Sequence, residues 1–118
     1  MAVNGWIGVD LDGTLARYDG WLGADHIGAP VPAMLRRVRD WLAEGREVRI
    51  FTARVCHRSQ SPGEVDLAKQ AIEAWCAKHI GLVLPVTNEK DFQMVALWDD
   101  RAVQVELNTG RRIGGSDG

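Results

Sequence analysis

The sequence predicts a single α/β domain built around a mainly parallel sheet. Short apolar segments bounded by turn residues alternate along the chain with longer segments whose apolar residues recur at helical spacing. Such alternation is typical of strand-helix-strand units, which give a three-layer, Rossmann-like arrangement with helices on both faces of the sheet. We expect about five strands, one domain over residues 1–113, and a disordered tail over residues 114–118 (GGSDG).

The composition is that of a soluble globular protein. The chain has 118 residues, of which 46% are hydrophobic and 25% are charged, so we expect one core and no second functional domain. No apolar run approaches the ~20 residues of a membrane span, and the N-terminus lacks the features of a signal peptide. We therefore expect a cytoplasmic protein with no membrane partner. The net charge of −2 argues against strong non-specific binding to nucleic acid, and the spacing of Cys56 and Cys76 favours reduced thiols.

The first half of the chain predicts a strand, a loop, a helix and a second strand. Trp6–Asp10 is short, apolar and closed by turn residues, as expected of a buried strand. Residues 11–30 are rich in glycine and have no helical period, which indicates a loop or a small flap. From Pro32 the apolar residues recur at helical spacing until Gly45, where an amphipathic helix ends. Glu47–Thr52 (EVRIFT) is the second predicted strand.

The second half predicts one further helix and three further strands. Ser61, Pro62 and Glu64 fit an N-cap, a first-turn proline and the acid of a capping box. The apolar face of this helix continues to Ile80. The three strands, the last of them at an edge of the sheet, are Leu82–Val86, Met94–Trp98 and Ala102–Leu107.

Polar side chains suited to metal and phosphate chemistry follow the predicted strands. In parallel sheets, ligands collect at the carboxyl ends of the strands, so residues at those ends are expected to converge on one edge. The candidates, in chain order, are Asp10 and Asp12 after the first strand, Thr52 after the second, Lys90 after the third, and Asp99 and Asp100 after the fourth.

Four carboxylates, a lysine and a hydroxyl predict a site for a hard cation and a phosphoryl group. Acids as close as Asp10 and Asp12 repel each other unless a cation or a proton lies between them. Oxygen ligands favour Mg²⁺, and the acids at 10, 99 and 100 can hold it. With the charge neutralised, Asp10 can attack a phosphate to give an acyl phosphate, while Asp12 protonates the leaving oxygen and then activates water.

Two further residues have supporting roles in this interpretation, and the roles of two arginines stay open. Thr52 can donate its hydroxyl to a phosphoryl oxygen, and Lys90 can neutralise charge that builds up during transfer. Arg54 and Arg58 either are solvated charges or bind a substrate phosphate, and the sequence favours neither interpretation over the other.

Four motifs resemble, in order, those of the haloacid dehalogenase superfamily of phosphohydrolases. They are D-x-D-G-T at Asp10–Thr14, an apolar strand ending in Thr52, the isolated Lys90, and an apolar-D-D segment at Asp99–Asp100. The likeness covers residues 5–107. It implies that Asp10 is the nucleophile, that Asp12 is the acid/base, and that Mg²⁺ binds Asp10, the backbone carbonyl of Asp12, and Asp99 with Asp100 nearby. It also implies that the phosphate is bound by Gly13, Thr14, Thr52, Ala53, Arg54 and Lys90.

The loops at which this superfamily inserts a cap domain are short here. Only residues 15–30 and 53–61 lie at those points, so the chain is similar to capless members, whose open sites admit larger substrates or use a partner subunit of a homo-oligomer as a lid. The stretches DLDGTLA and WDDRAVQVE resemble the 3′-phosphatase domains of polynucleotide kinase-phosphatases. We therefore expect a magnesium-dependent phosphatase acting on a small-molecule phosphomonoester or a nucleic-acid end, such as a nucleotide or a nucleic-acid 3′-phosphate.

Other interpretations of the same acids fit less well or remain open. A calcium loop needs a glutamate at its twelfth position, which is Trp21 here. A response-regulator receiver domain has similar residues, but its phosphorylated aspartate follows a middle strand and its lysine comes last in the chain. A catalytically weak phosphate-binding or phospho-acceptor regulatory module remains the alternative function.

The aromatic and imidazole side chains near the predicted site have structural interpretations as well. Tyr18 and Trp21 lie in the predicted flap, where Trp21 either stacks on a nucleobase or pins the loop, and we favour the pin. The histidines show no ligand spacing and are expected to be loop, cap or surface residues. His57 fits that expectation least well, because it lies in the loop after Thr52.

Overall fold

A computed structural model describes residues 4–114 and shows a parallel four-stranded sheet with two long helices. The strands, in chain order, are β1 (Trp6–Asp10), β2 (Glu47–Phe51), β3 (Val86–Thr87) and β4 (Met94–Trp98). The helices are α1 (Pro32–Ala43), between β1 and β2, and α2 (Pro62–His79), between β2 and β3, the latter preceded by a short 3₁₀ turn at Ala53–Val55. The predicted α/β class is confirmed. Residues 115–118 of the predicted disordered tail lie outside the described residues.

Strand β1 is central in the sheet, whose order is β3-β2-β1-β4. Asp10 at the end of β1 lies opposite Phe51 at the end of β2, and Val9 lies opposite Trp98 at the end of β4. All neighbouring strands are parallel. The residues that follow β1, β2 and β4 therefore emerge at one edge of the sheet, as predicted.

Both long helices pack against the same face of the sheet. Ile7 of β1 and Val48 opposite it on β2 share one buried cluster with Val38 of α1 and Ile72 of α2. The steps from β1 to β2 and from β2 to β3 run in the same direction across the sheet, and right-handed crossovers then place both helices on one side. The expectation of helices on both faces is not met within residues 4–114.

The opposite face is crossed by residues 88–93, which join β3 to β4 without a helix. Asp91 in this segment accepts a hydrogen bond of 2.9 Å from the Trp6 indole, which helps to hold the pKa of Asp91 below its usual range. The Arg49 guanidinium stacks on the Trp6 ring at 4.5 Å and lies 3.8 Å from the Asp91 carboxylate. These contacts help to bury Trp6 completely and hold the connection that brings β4 beside β1.

Strand β3 is shorter than predicted. It covers Val86–Thr87 and not Leu82–Val86. Pro85 has no N–H to donate to a neighbouring strand, although its carbonyl accepts a hydrogen bond of 2.8 Å from the Ile50 N–H. The pairing of β3 with β2 therefore begins at Val86, the residue after the proline.

The predicted fifth strand at Ala102–Leu107 is not part of the sheet. The segment folds back on itself: Val105 is bridged to Arg112, and the Glu106 N–H donates to the Arg111 carbonyl at 2.7 Å. Asn108 has a φ of 65°, a left-handed conformation that suits the turn of such a hairpin. Local pairing across this turn replaces pairing with β4, and the sheet has four strands where about five were expected.

Helix α2 begins with the predicted capping box. The Ser61 hydroxyl accepts a hydrogen bond of 3.2 Å from the Glu64 N–H, and the Glu64 carboxylate accepts one of 3.3 Å from the Ser61 N–H. Both bonds satisfy N–H groups that have no partner within the helix. Neither described helix combines the length and the hydropathy that crossing a bilayer requires.

Replacing Ser61 with alanine should lower the free energy of unfolding by about 1 kcal/mol, because the N-cap acceptor is lost. Urea unfolding of the purified protein measures this change. The Ser61→Asp variant, which keeps an acceptor at the same position, is the matched control and should stay close to the parent. An equal loss in both variants would show that the cap contributes nothing.

Candidate active site

A cavity of about 370 Å³ opens at the carboxyl edge of the sheet. Its volume is within the range of small-molecule sites. It is lined by residues that follow β1, β2 and β4, together with two aromatic residues of the flap, Tyr18 and Trp21. The sequence-predicted site residues among the lining are Asp10, Asp12, Thr52, Ala53, Arg54, Asp99 and Asp100.

Three carboxylates form a cluster at the floor of this site. Asp10, Asp99 and Asp100 each offer an oxygen atom, and these atoms all lie within 4.8 Å of one another. Asp10 ends β1, and the other two acids directly follow β4, the neighbouring strand. One Asp99 oxygen accepts a hydrogen bond of 2.8 Å from the Arg101 N–H, which fixes this side chain. The strand register thus brings together acids that are far apart in the chain.

The proximity of these acids perturbs their protonation. Burial first, then a hydrogen bond with Asp100 and the charges of Asp99 and Asp100, together raise the pKa of Asp10 from 3.8 to about 7, against a smaller lowering by the Thr14 hydrogen bond. The same hydrogen bond with Asp10 lowers the pKa of Asp100. A proton held between Asp10 and Asp100 therefore relieves part of the repulsion, and a cation at this position would do the same.

Gly13 and Thr14 connect the turn after β1 to the acids after β4. The Thr14 hydroxyl accepts a hydrogen bond of 2.9 Å from the Asp100 N–H and lies 3.0 Å from an Asp100 oxygen and 3.3 Å from an Asp10 oxygen. Gly13 has a φ of 88°, and a Cβ there would lie 2.7 Å from an Asp100 oxygen. These two residues support the carboxylate cluster, and their expected contact with phosphate stays a prediction.

Thr52 lies at the end of β2 with its side chain facing the cavity. It is only 2% exposed, and its hydroxyl oxygen accepts a hydrogen bond of 3.1 Å from the Arg54 N–H, which caps the 3₁₀ turn. Because the oxygen acts as the acceptor in that bond, the hydroxyl proton is free to be donated elsewhere. This geometry is compatible with the predicted donation to a phosphoryl oxygen.

Arg54 is buried and holds Asp12 at two points. Its Nε donates to one Asp12 oxygen at 2.7 Å, and its Nη2 donates to the other at 2.9 Å. The side chain is 5% exposed. Such a two-point pair fixes the plane and the position of the carboxylate, which a single contact does not.

The same guanidinium holds the flap, which we define as residues 17–29. Nη1 donates to the carbonyls of Gly23 (3.3 Å) and Ala24 (3.0 Å), and Nη2 donates to that of His26 (2.7 Å). Together with the Asp12 contacts, these bonds use all five N–H donors of a guanidinium. In this conformation Arg54 has no donor left for a substrate phosphate, so the predicted phosphate contact gives way to a positioning role.

The Asp12 carboxylate is not in the cation-binding cluster. Its two oxygens are paired with Arg54, and the described oxygens close enough to share an ion belong to Asp10, Asp99 and Asp100. The prediction of Asp12 as a metal ligand therefore does not extend to its side chain in this conformation. Each Asp12 oxygen keeps a further lone pair that faces no Arg54 donor, so proton transfer remains open to it.

Lys90 and two residues of the loop after β2 do not line the cavity. Lys90 is exposed in the segment between β3 and β4, so its predicted role in the site stays a prediction. His57 and Arg58 are also exposed and lie outside the cavity lining. The loop contributes Ser59 and Gln60 to the lining instead.

The sequence analysis did not identify Phe51, Ser59, Gln60 or Arg101 as cavity residues. Arg101 directly follows the acids after β4, and Phe51 directly precedes Thr52. Their position next to predicted site residues could have identified both as cavity residues. Ser59 and Gln60 lie in a loop whose path depends on the 3₁₀ turn and the start of α2. Nothing local in the sequence distinguishes them from their neighbours.

The fold and site define an α/β parallel-sheet protein with an acidic cluster at the carboxyl edge of its sheet. A similar solved structure is described as that of a conserved protein coded by a locus from Bacteroides thetaiotaomicron. It has a TM-score of 0.57 and 20% sequence identity, over 86% of this chain and 79% of that one. At this identity the likeness shows the fold alone. No protein-family model and no curated protein matches the chain.

The Arg54→Lys variant should lose roughly 1–3 kcal/mol of stability, because one ammonium group cannot satisfy both Asp12 and the buried flap carbonyls. Urea unfolding measures the loss, and limited proteolysis should show faster cleavage within residues 17–29. Arg17→Ala is the control, since the only contact described for the Arg17 side chain is an exposed ion pair with Asp19, and such pairs contribute little. If the two variants behave alike, Arg54 does not hold the flap.

The metal-free protein should become less stable as the pH rises from about 4 to about 7. The folded-state pKa of Asp10 is raised to about 7 from 3.8, so the folded state binds more protons than the unfolded state within that window. The lowered pKa of Asp100 acts below the window, where stability is lost as the pH falls.

Urea unfolding in the presence of a chelator, at several pH values between these limits, measures this slope. The Asp10→Asn variant should remove most of it, because the amide does not titrate. An unchanged slope in that variant would assign the pH dependence to other groups.

Proposed function

We propose that this chain is a magnesium-dependent phosphatase of the haloacid dehalogenase type, which hydrolyses a phosphomonoester through an aspartyl phosphate. The observation that carries the proposal is the cluster of Asp10, Asp99 and Asp100 at the floor of a cavity that Asp12 also lines. The motif order described above agrees with this arrangement. The substrate classes that the resemblance favours are a nucleotide and a nucleic-acid 3′-phosphate.

The three clustered carboxylates are a suitable donor set for Mg²⁺. They are hard oxygen ligands, their oxygens lie within 4.8 Å of one another, and the charges of Asp99 and Asp100 contribute to the raised pKa of Asp10, a repulsion that a cation would relieve. We assign Asp10, Asp99 and Asp100 to the metal, together with the backbone carbonyl of Asp12 that the resemblance implies. When bound, the ion neutralises these acids, favours ionised Asp10 and polarises the phosphoryl group.

Asp10 acts as the nucleophile in this mechanism. It ends the central strand, and its partly buried carboxylate is held next to the Thr14 hydroxyl. One of its oxygens forms a bond to phosphorus as the bond from phosphorus to the leaving oxygen breaks. Thr52, with its proton free, donates to a phosphoryl oxygen and orients the group for in-line attack.

Asp12 transfers the protons. It donates a proton to the leaving oxygen in the first step and accepts one from water when the aspartyl phosphate is hydrolysed in the second. Arg54 fixes the position of Asp12 for both steps through its two hydrogen bonds. We further propose that the site is uncapped, since the loop at residues 15–30 contains only the flap.

A phospho-acceptor module that hydrolyses its own aspartyl phosphate slowly is the second candidate. The observation that favours it is the pairing of both Asp12 oxygens with Arg54, which engages the group that must activate water. Such a module would release one equivalent of phosphate and stop. A phosphatase would continue to turn over, so the time course of phosphate release separates the two.

A screen of phosphomonoesters with added Mg²⁺ tests the proposal directly. We expect steady phosphate release by the parent and none above background in Asp10→Asn, because that variant lacks both the nucleophile and a metal ligand. Asp66→Asn makes the same chemical change at an exposed position on α2 and should leave the rate unaltered. Hydrolysis that persists in Asp10→Asn would rule out the covalent mechanism.

A further inference from the structure

Two aromatic side chains form an outer wall of the cavity. We call Tyr18 and Trp21 the aromatic wall; they are 43% and 47% exposed, and both line the same cavity as the carboxylate cluster. The Arg54 guanidinium lies 4.8 Å from the centre of the Trp21 ring. Large half-exposed rings beside a polar site are available to bind a ligand.

Hydrogen bonds to its backbone hold the flap in place, in addition to the contact of the Trp21 ring with Arg54. The three carbonyl contacts of Arg54 hold its middle, and at its base the Arg17 N–H donates to the Ala29 carbonyl at 2.8 Å. The Trp75 indole also donates to the Gly28 carbonyl at 2.9 Å. Backbone hydrogen bonds thus anchor the loop, and a role as a pin does not account for the half-exposed surface of Trp21.

The aromatic wall lies next to the acid assigned to the leaving oxygen. Arg54 contacts the Asp12 carboxylate with two of its nitrogens, and its guanidinium carbon lies over the Trp21 ring. Only one side chain therefore separates the ring from Asp12. When a phosphate is bound at the carboxylates with its leaving oxygen near Asp12, the organic group on that oxygen extends toward the aromatic wall.

The lining of the same cavity also includes a polar side chain without a described hydrogen bond. Gln60 lines the cavity, and its side-chain amide makes no hydrogen bond with any residue between 4 and 114. An amide both donates and accepts, which matches the edge of a nucleobase and not that of a plain phenyl ring. The cavity therefore combines a stacking surface with a group able to bind a heteroaromatic edge.

We infer that the aromatic wall is a subsite for the base of a nucleoside monophosphate, with Gln60 hydrogen-bonding the base edge. This inference rests on the proposed function, since it places the phosphate of the same molecule at the carboxylate cluster. Base stacking on an aromatic side chain is strong enough to change affinity by about tenfold or more. It therefore selects among phosphomonoesters that share the same phosphate.

The test compares adenosine 5′-monophosphate with ribose 5-phosphate, which has the same sugar and phosphate but no base. Titration calorimetry of the parent protein with Mg²⁺ and the phosphonate analogue of each ligand, in which a methylene group replaces the bridging oxygen, measures binding without turnover and keeps the proposed metal ligands intact. We expect the nucleotide to bind at least about tenfold more tightly. Adding Trp21→Ala should remove that preference and leave ribose 5-phosphate binding unchanged, whereas Leu22→Ala, at an exposed neighbour outside this cavity, should preserve it.

Equal affinities for the two ligands, no binding of either, or a similar loss of both in Trp21→Ala would overturn the subsite. Turnover by the parent protein separates this failure from that of the proposed function. If the parent hydrolyses ribose 5-phosphate as fast as the nucleotide, the phosphatase assignment stands and the subsite is overturned. A base preference in binding without hydrolysis of any ester supports the subsite and overturns the catalytic assignment. A 3′-phosphorylated tetranucleotide, as a further arm, binds more tightly than the free nucleotide if the natural ligand is a nucleic-acid end, and more weakly if it is a mononucleotide.

Discussion

The Arg54 guanidinium joins three parts of the site that are far apart in the sequence. It follows β2, pairs with Asp12 on the turn after β1, and donates to three carbonyls in the flap. A planar group with five donors in a fixed geometry suits this task, because each donor points at a different acceptor and none is left over. The position of Asp12 and the conformation of the flap are therefore set by one side chain.

The pairing of Arg54 with Asp12 also separates the acids of the site into two groups. Asp12 has the Arg54 charge paired with it, whereas none of the described ion pairs involves Asp10, Asp99 or Asp100. Burial and the two neighbouring acids together raise the pKa of Asp10. In the proposed mechanism, the cation therefore binds at these three acids, and the proton-transfer group Asp12 lies outside that cluster.

The sequence predicted the elements whose signals are local. The turn residues around β1, the helical period of α1 and the capping box of α2 each depend on residues a few positions apart, and all three elements were found where expected. The two errors in the strands had different causes. Pro85, a local signal inside the predicted third strand, shortens β3, whereas the segment after Asp100 pairs with itself instead of with β4. The one-sided placement of the helices was recoverable in principle, because residues 88–93 are too few to hold a crossover helix.

The site was predicted as a set of residues but not as a network. Parallel strands must end at a common edge, so the convergence of Asp10, Asp99 and Asp100 follows from the strand assignment alone. The partner of Asp12 does not follow from it. Arg54 reaches carbonyls at 23, 24 and 26 only because the flap folds back over the turn after β1, and that path is fixed by hydrogen bonds that no periodicity in the sequence encodes. Because these contacts are long-range, the sequence alone could not decide whether Arg54 is a solvated charge or binds a substrate phosphate.

Because one side chain contacts both Asp12 and the flap, the proposed mechanism couples ligand recognition to proton transfer. A ligand that displaces the flap must break carbonyl contacts of Arg54, and the freed guanidinium then has fewer constraints on its hold of Asp12. A ligand that fits beneath the flap as it stands leaves both in place and pays little ordering entropy, since the loop is already fixed. If the proposed subsite and mechanism both hold, selection at the aromatic wall acts on the chemical step through geometry. The compounds that keep Asp12 oriented would be those whose organic group contacts Tyr18 and Trp21 without moving the flap.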